Sequence, residues 1–291
     1  VSRLLRIPMI FDFQGSLTGE MLDHNFLHPE SRFYRPLRWL ETTLDRQSRV
    51  ILTSSHNARQ LLITEFGCDP DRVRTVSDCV DTAAFYPRGE AEQTALTNRK
   101  MHLGIPPSRK VVIYLGLLAD YQGTDLLLRA AAHILQKRDD VHFLIMGFPA
   151  VEHYQRMAQR LGLANHTTFT GKIPYQKARD LLAIGDVAVA PKLSATEGSG
   201  KILNYMAMGL PTVTFDMPVS HEYLGDLGIY ATPGDSVSLA QALLDGLLNE
   251  EYRLHGEELR RVATERYSWE HAAERILHAY HSVCHEQSGV L

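Results

Sequence analysis

The stretch Glu197-Gly198-Ser199-Gly200-Lys201-Ile202-Leu203-Asn204 gathers a carboxylate, two glycines, a hydroxyl, an ammonium and an amide. It follows an apolar run, Val187 to Ala190, with the pattern of a buried strand. It precedes Lys201 to Met208, a short helix pattern closed by Gly209. A strand, a glycine-bearing turn and a helix start in that order aim backbone N–H groups and the positive end of a helix dipole at one spot, which suits an anion such as a diphosphate. Lys201 adds a cation in the first turn, where the dipole disfavours it, and this placement makes sense opposite a bound anion. Glu197 supplies an acceptor for sugar hydroxyls. Two plainer explanations compete: the glycines serve tight packing, and Glu197 caps the helix.

Gly116-Leu117-Leu118-Ala119-Asp120-Tyr121-Gln122-Gly123 is a second strand-to-helix turn expected on the same sheet edge. Gly147-Phe148-Pro149 and Gly171-Lys172-Ile173-Pro174 follow the next two strands, so four strands end in glycine-containing turns, as the floor of a cleft does. Other chemistries are excluded on spacing. Gly198-Ser199-Gly200-Lys201 is not a phosphate-binding Walker loop, because that pattern needs Gly at 195 and Ser or Thr at 202, where Ala195 and Ile202 stand. No GxGxxG fingerprint follows a strand and no HExxH pair occurs, so neither a dinucleotide cofactor nor a metal is expected. His24, His28 and His221 have no stronger claim than surface or core residues.

The elements that position these residues are legible in order. Pro8 to Phe13 reads as a parallel-sheet strand. Phe33, Leu37, Leu40 and Leu44 recur at helical spacing over residues 31–47. A strand follows at 50–53, then a helix over 56–66 capped by Ser55, then a strand at 73–76. Residues 88–107 are polar and end in Gly104-Ile105-Pro106-Pro107, a composition shift taken as a domain boundary. Beyond it strands are expected at 110–115, 141–146, 167–170, 187–190, 211–215 and 229–231. Helices are expected at 124–137, 150–161, 174–184, 201–208 and 235–248. This alternation means βαβ crossovers and a doubly wound parallel sheet with helices on both faces. Two more helices fill the tail, broken near Ser268-Trp269, with Trp269 as the anchor of the last.

At 291 residues the chain has room for about two domains. It is 44% hydrophobic and 22% charged with a net charge of −4, which gives no reason to expect nucleic acid as a partner. No apolar run approaches the ~20 residues that span a bilayer. Cys68, Cys79 and Cys284 form neither a metal spacing nor an even framework, which suits a reducing compartment. The chain opens on Val1 and the apolar Leu4-Leu5-Arg6-Ile7-Pro8, from which an upstream portion is expected.

The residues resemble a family, the retaining GT-B glycosyltransferases of family 4. The signs are Val80-Asp81-Thr82 with Phe85 and Pro87, Gly116 with Gly123-Thr124-Asp125-Leu126-Leu127, Phe169-Thr170-Gly171, Pro191 to Pro211, and Tyr267-Ser268-Trp269. They run in the family's order over residues 73–280. Phe11-Asp12-Phe13 is similar to the last third of the family's N-terminal acceptor domain. The resemblance implies a partial N-terminal, acceptor-side Rossmann-like domain over 1–87, with the helix 268–286 packing back on it. It implies a C-terminal Rossmann-like domain over 88–267 that holds a nucleotide sugar, UDP- or GDP-linked. It further implies transfer with retention to a saccharide or lipid-linked acceptor, no metal at the diphosphate, and a cytoplasmic enzyme with peripheral membrane contact through its upstream portion.

The resemblance assigns Glu197 to the donor sugar and Lys201 to the diphosphate as catalytic residues. Gly116, Leu117, Gln122, Gly147, Lys172, Ile173, Gly198, Ser199, Gly200, Ile202 and Asn204 fall at donor-binding positions. Three of them depart from the family pattern. Asn204 stands where a carboxylate holds the ribose hydroxyls, and Leu117 and Gln122 stand where many relatives place Arg and Lys. Either Lys201, Lys172 or Lys192 then supplies the charge, or donor binding is weak. The alternative is a degenerate GT-B domain that binds a nucleotide sugar without turnover.

Overall fold

The computed structural model describes residues 7–23, 26–193 and 198–288. The chain divides into two compact units. The first holds the described residues up to Cys79, Gly198 and those from Tyr267 onward; the second holds Val80–Leu193 and Ser199–Arg266.

The first unit is built on a parallel three-stranded sheet, β1 (Ile10–Phe13), β2 (Val50–Thr53) and β3 (Val73–Thr75), in that spatial order. Strand β2 is buried at every residue, which is why it reads as an unbroken apolar run. One face packs Phe13, Ile51 and Val73 against Ala58 and Leu62 of a helix (His56–Thr64) whose Ser55 cap accepts from the Ala58 N–H at 3.0 Å. The other face packs Val50 and Leu52 against Ala279 and Val283 of the last helix (Trp269–Ser288). The Arg275 guanidinium of that helix donates to the Thr75 carbonyl at 3.3 Å.

Two expectations fail in this unit. Trp269 does not anchor the last helix: it is 58% exposed, and Ser268 caps the helix instead by accepting from the His271 N–H at 3.3 Å. The apolar stripe expected on the helix Tyr34–Asp45 faces outward, with Phe33, Leu40 and Leu44 exposed and Glu41 and Asp45 buried. The Glu41 carboxylate turns inward because it accepts from the backbone N–H of Thr18 at 3.3 Å and from the Thr18 hydroxyl.

The second unit carries six parallel strands. In chain order they are β4 (Lys110–Leu117), β5 (Val141–Phe148), β6 (Thr167–Phe169), β7 (Val187–Ala190), β8 (Thr212–Phe215) and β9 (Ile229–Ala231). Their spatial order is β6-β5-β4-β7-β8-β9, so the winding reverses between β4 and β7. On one face Val112, Tyr114, Phe143, Ile145, Val189 and Val213 pack under the helices Thr124–Leu135 and Ser236–Leu248. On the other the helix Gly200–Ala207 is pinned by Tyr205, whose hydroxyl accepts from the Leu115 N–H of β4 at 2.8 Å and donates to the Val189 carbonyl of β7 at 3.4 Å.

The division falls after Cys79 rather than at residue 88. The Arg260 guanidinium donates to the carbonyls of Thr82 (2.7 Å), Phe85 and Ala207 (3.0 Å), and Arg179 grips both oxygens of Glu92 at 2.8 and 2.9 Å while stacking on Tyr86. These clamps bind residues 82–92 to the second unit. The polar stretch 88–107 is not a linker either, because it holds a helix (Gln93–His102), and Leu96 and Ile105 are buried.

Candidate functional site

In an open α/β sheet, ligands bind outside the carboxyl ends of the strands where the winding reverses. Here that place is the gap beyond β4 and β7. The turns that follow these strands are tied together by the Leu193 N–H donating to the Tyr121 carbonyl at 2.9 Å. Gly123, at φ +72°, permits the approach: a Cβ there would stand 2.0 Å from the Pro191 carbonyl oxygen.

Lys201 reaches this place from the first turn of the helix Gly200–Ala207. Its Nζ donates to Gln122 Oε1 at 2.6 Å and lies 3.4 Å from the Tyr114 hydroxyl and 4.6 Å from the centre of the Tyr114 ring. A Cβ on Gly116 would stand 2.7 Å from the same Nζ, so the glycine leaves the ammonium its space. Tyr114 is fully buried, its hydroxyl donates to the Leu117 carbonyl at 2.5 Å, and burial holds it protonated far above the usual phenol range. Leu117 itself is 43% exposed at the strand end. Gly147 closes the floor, since a Cβ there would sit 2.0 Å from the Gly116 carbonyl oxygen.

The other expected residues arrange themselves around this ammonium. Ser199 is the N-cap residue of the helix, 7% exposed, and its Oγ has no hydrogen-bond partner among the described residues. Gly200 opens the helix behind it and Gly198 precedes it in the chain. Asn204 lies one turn on, its Oδ1 accepting from the Tyr175 hydroxyl at 3.3 Å. Ile202 is a correction: its side chain is 1% exposed and belongs to the core, so only its backbone is available to a ligand. Lys172 and Ile173 follow the edge strand β6, where the Lys172 Nζ stands 5.0 Å from the Phe148 ring centre. Lys192 is buried. Glu197 lies outside the described residues. Among the described residues no group of His, Cys, Asp and Glu side chains is arranged to hold a metal ion, and no helix is long and apolar enough to cross a membrane.

Sequence reasoning missed two side chains. Tyr114 sits inside an apolar strand and reads as core; Tyr175 sits at a helix start and reads as surface. Both acquire their roles from partners far along the chain.

Residues 109–249, which carry β4 to β9, match the family described as Glycosyl transferases group 1. Those residues are a group 1 glycosyl transferase domain. The chain is similar to D-inositol 3-phosphate glycosyltransferase 2 from Catenulispora acidiphila, with 28% identity over 220 residues, 70% of this chain and 50% of the relative. The phosphatidyl-myo-inositol mannosyltransferase of Mycobacterium leprae is 30% identical over 203 residues, 67% of this chain and 53% of the relative. The chain thus spans about half the length of the curated relatives it matches. Among solved structures, Anabaena Alr3699/HepE in complex with UDP superimposes with a TM-score of 0.80 at 18% identity, covering 97% of this chain and 74% of that one. The sucrose-phosphate synthase of Thermosynechococcus elongatus gives 0.80 at 17%, covering 98% and 71%. The fold is therefore α/β of the GT-B class, with the group 1 domain as its Rossmann-like sheet.

Proposed function

We propose that this chain is the donor-binding part of a glycosyltransferase that moves a sugar, with retention, from a UDP- or GDP-linked donor to a saccharide or lipid-linked acceptor. The observation that carries the reading is the Lys201 ammonium, held at the strand-end gap by Gln122 beside Gly116, which leaves room for it. In the reaction the bond from the anomeric carbon to the diphosphate oxygen breaks, the acceptor oxygen bonds to that carbon and loses its proton, and the nucleoside diphosphate departs. Negative charge then grows on the leaving oxygen. A fixed ammonium and the N–H groups at residues 199–201 stabilise it, and only such charge-dependent contacts accelerate the step. Glu197 meets the donor sugar, Asn204 the ribose, and Gly116, Gly147, Ile173 and the backbone of Ile202 shape the walls. No metal is needed in this scheme. Relatives named for inositol-phosphate and phosphatidylinositol chemistry support a hydroxyl-bearing acceptor. A cytoplasmic enzyme in peripheral contact with a membrane fits the same reading.

A second reading is a domain that binds the nucleotide sugar without turnover. It is favoured by the neutral side chains at Leu117, Gln122 and Asn204. Nucleotide release from UDP-, GDP- and ADP-sugars by the full-length gene product separates the two. In the intact enzyme Glu197→Ala should lower turnover more than it weakens nucleoside diphosphate binding, because the free diphosphate has no sugar for Glu197 to touch. A lower melting point with unchanged turnover per folded molecule would reduce Glu197 to a helix cap.

A further inference from the structure

We infer that Gln122 is the residue that positions Lys201, and that the two side chains form one exchangeable unit whose product is an ammonium at the end of β4. The inference rests on the reading that this gap takes a nucleoside diphosphate. Lys201 begins its helix against the dipole, which by itself disfavours a cation there and leaves a long, rotamer-rich side chain unfixed. Three features distant in sequence converge on its Nζ. Gln122 Oε1 accepts from it at 2.6 Å, the Tyr114 ring centre lies 4.6 Å away, and Gly116 omits the side chain that would displace it.

Gln122 is 7% exposed, so its amide has been withdrawn from water and faces the ammonium as a fixed dipole. The Tyr114 hydroxyl spends its proton on the Leu117 carbonyl at 2.5 Å, which turns its lone pairs toward Lys201 Nζ at 3.4 Å. The acceptor at 122 is neutral, so it fixes the ammonium without setting a carboxylate charge beside it. Lysine and glutamine are long, unbranched side chains meeting tip to tip. Exchanging them therefore returns an ammonium and an amide oxygen to the same two places, with the charge arriving from the β4 turn instead of the helix.

The test titrates the full chain calorimetrically with whichever of UDP and GDP the wild type binds, and with the matching nucleoside. Lys201→Gln is expected to lose about tenfold or more in diphosphate affinity with the nucleoside unaffected, as loss of a hydrogen bond to a charged group implies. Gln122→Leu should lose roughly threefold to tenfold, again sparing the nucleoside. Gln122→Glu keeps the grip but adds a negative charge that repels the diphosphate, so it should bind the diphosphate as poorly as Lys201→Gln while melting no lower than wild type. The exchange Gln122→Lys with Lys201→Gln should return affinity to within about threefold of wild type. An exchange no better than Lys201→Gln alone, or a Gln122→Glu chain that binds like wild type, overturns the inference and leaves nucleotide binding standing. A folded wild-type chain that binds neither diphosphate better than its nucleoside removes the site and this inference with it.

Discussion

At the residue scale, the proposed site redistributes the charge pattern that the family resemblance implies rather than losing it. The positions at 117 and 122 are neutral, and Lys201 brings an ammonium to the Gln122 side chain from the opposite strand connection. Asn204 shows a related change. Its Oδ1 already accepts from the Tyr175 hydroxyl at 3.3 Å, and it has one such acceptor oxygen where a carboxylate has two charged ones for a ribose hydroxyl. Asn204→Asp should therefore widen the preference for UDP over 2′-deoxy-UDP by about tenfold, since a bond to a carboxylate is worth ~1.5–3 kcal/mol against ~0.5–1.5 for a neutral one. Competition titrations measure the ratio; an unchanged ratio would show that residue 204 does not face the ribose. Lys201 was legible as a cation in an unfavourable place at a helix start. Gln122 was legible only as a departure from a family pattern, because no local periodicity registers a bond between residues 79 apart.

At the scale of elements, the strand ends are held apart and together by glycines, and these can be weighed against one another. Gly123 and Gly104 both lie in the left-handed region, at φ +72° and +70°. A Cβ on Gly123 would meet the Pro191 carbonyl oxygen at 2.0 Å, whereas on Gly104 it would meet open space. Gly104→Ala should cost only the backbone penalty of ~1–2 kcal/mol. Gly123→Ala should cost a further ~1–3 kcal/mol from overpacking and also displace the β4 turn from the site. Denaturant unfolding of the two variants gives the difference; equal losses would mean that the β4 and β7 turns are not in contact.

Strands β2 and β7 coincide with the sequence reading because strands buried on both faces are continuous apolar runs bounded by turn residues. The helix Tyr34–Asp45 was found at the right place with its polarity reversed. Spacing reports that one face is apolar and cannot report that Thr18 offers Glu41 a buried N–H.

At the scale of the whole molecule the two units should respond to pH in opposite senses. In the first, burial and then the charge of Glu41 raise Asp45 from 3.8 to about 7. Between those values the folded chain holds a proton that the unfolded chain releases, so this contribution to stability falls as pH rises through that window. In the second, burial and then Arg109 and His166 depress His142 from 6.5 to about 4. There the unfolded chain binds the extra proton, so stability is present above 6.5 and is lost as pH falls toward 4. Asp45→Asn should raise the melting temperature at about pH 8 and change it little at about pH 4, while His142→Gln should flatten the acid side of the profile. Melting curves across that range decide, and matching profiles for wild type and both variants would place neither group inside a folded unit.

The central claim concerns which edge of the second sheet takes the ligand. A cavity of about 340 Å³ exists at the opposite edge, lined by Arg88, Lys110, Asp186, Gly209, Asn249 and Arg253. There Asp186 is already paired with Lys110 at 3.6 Å and Arg88 at 3.9 Å, and three helices end there, at Leu182, Ala207 and Leu248, their C-termini disfavouring anions, against one, Glu250–Arg266, that begins there. Amide hydrogen exchange of the whole chain with and without saturating UDP or GDP tests the claim most directly. The account predicts slowed exchange at residues 116–123 and 199–204, with residues 183–186 and 208–211 unchanged. Slowed exchange confined to the residues around Asp186 and Gly209, or no change anywhere under either nucleotide, would contradict it.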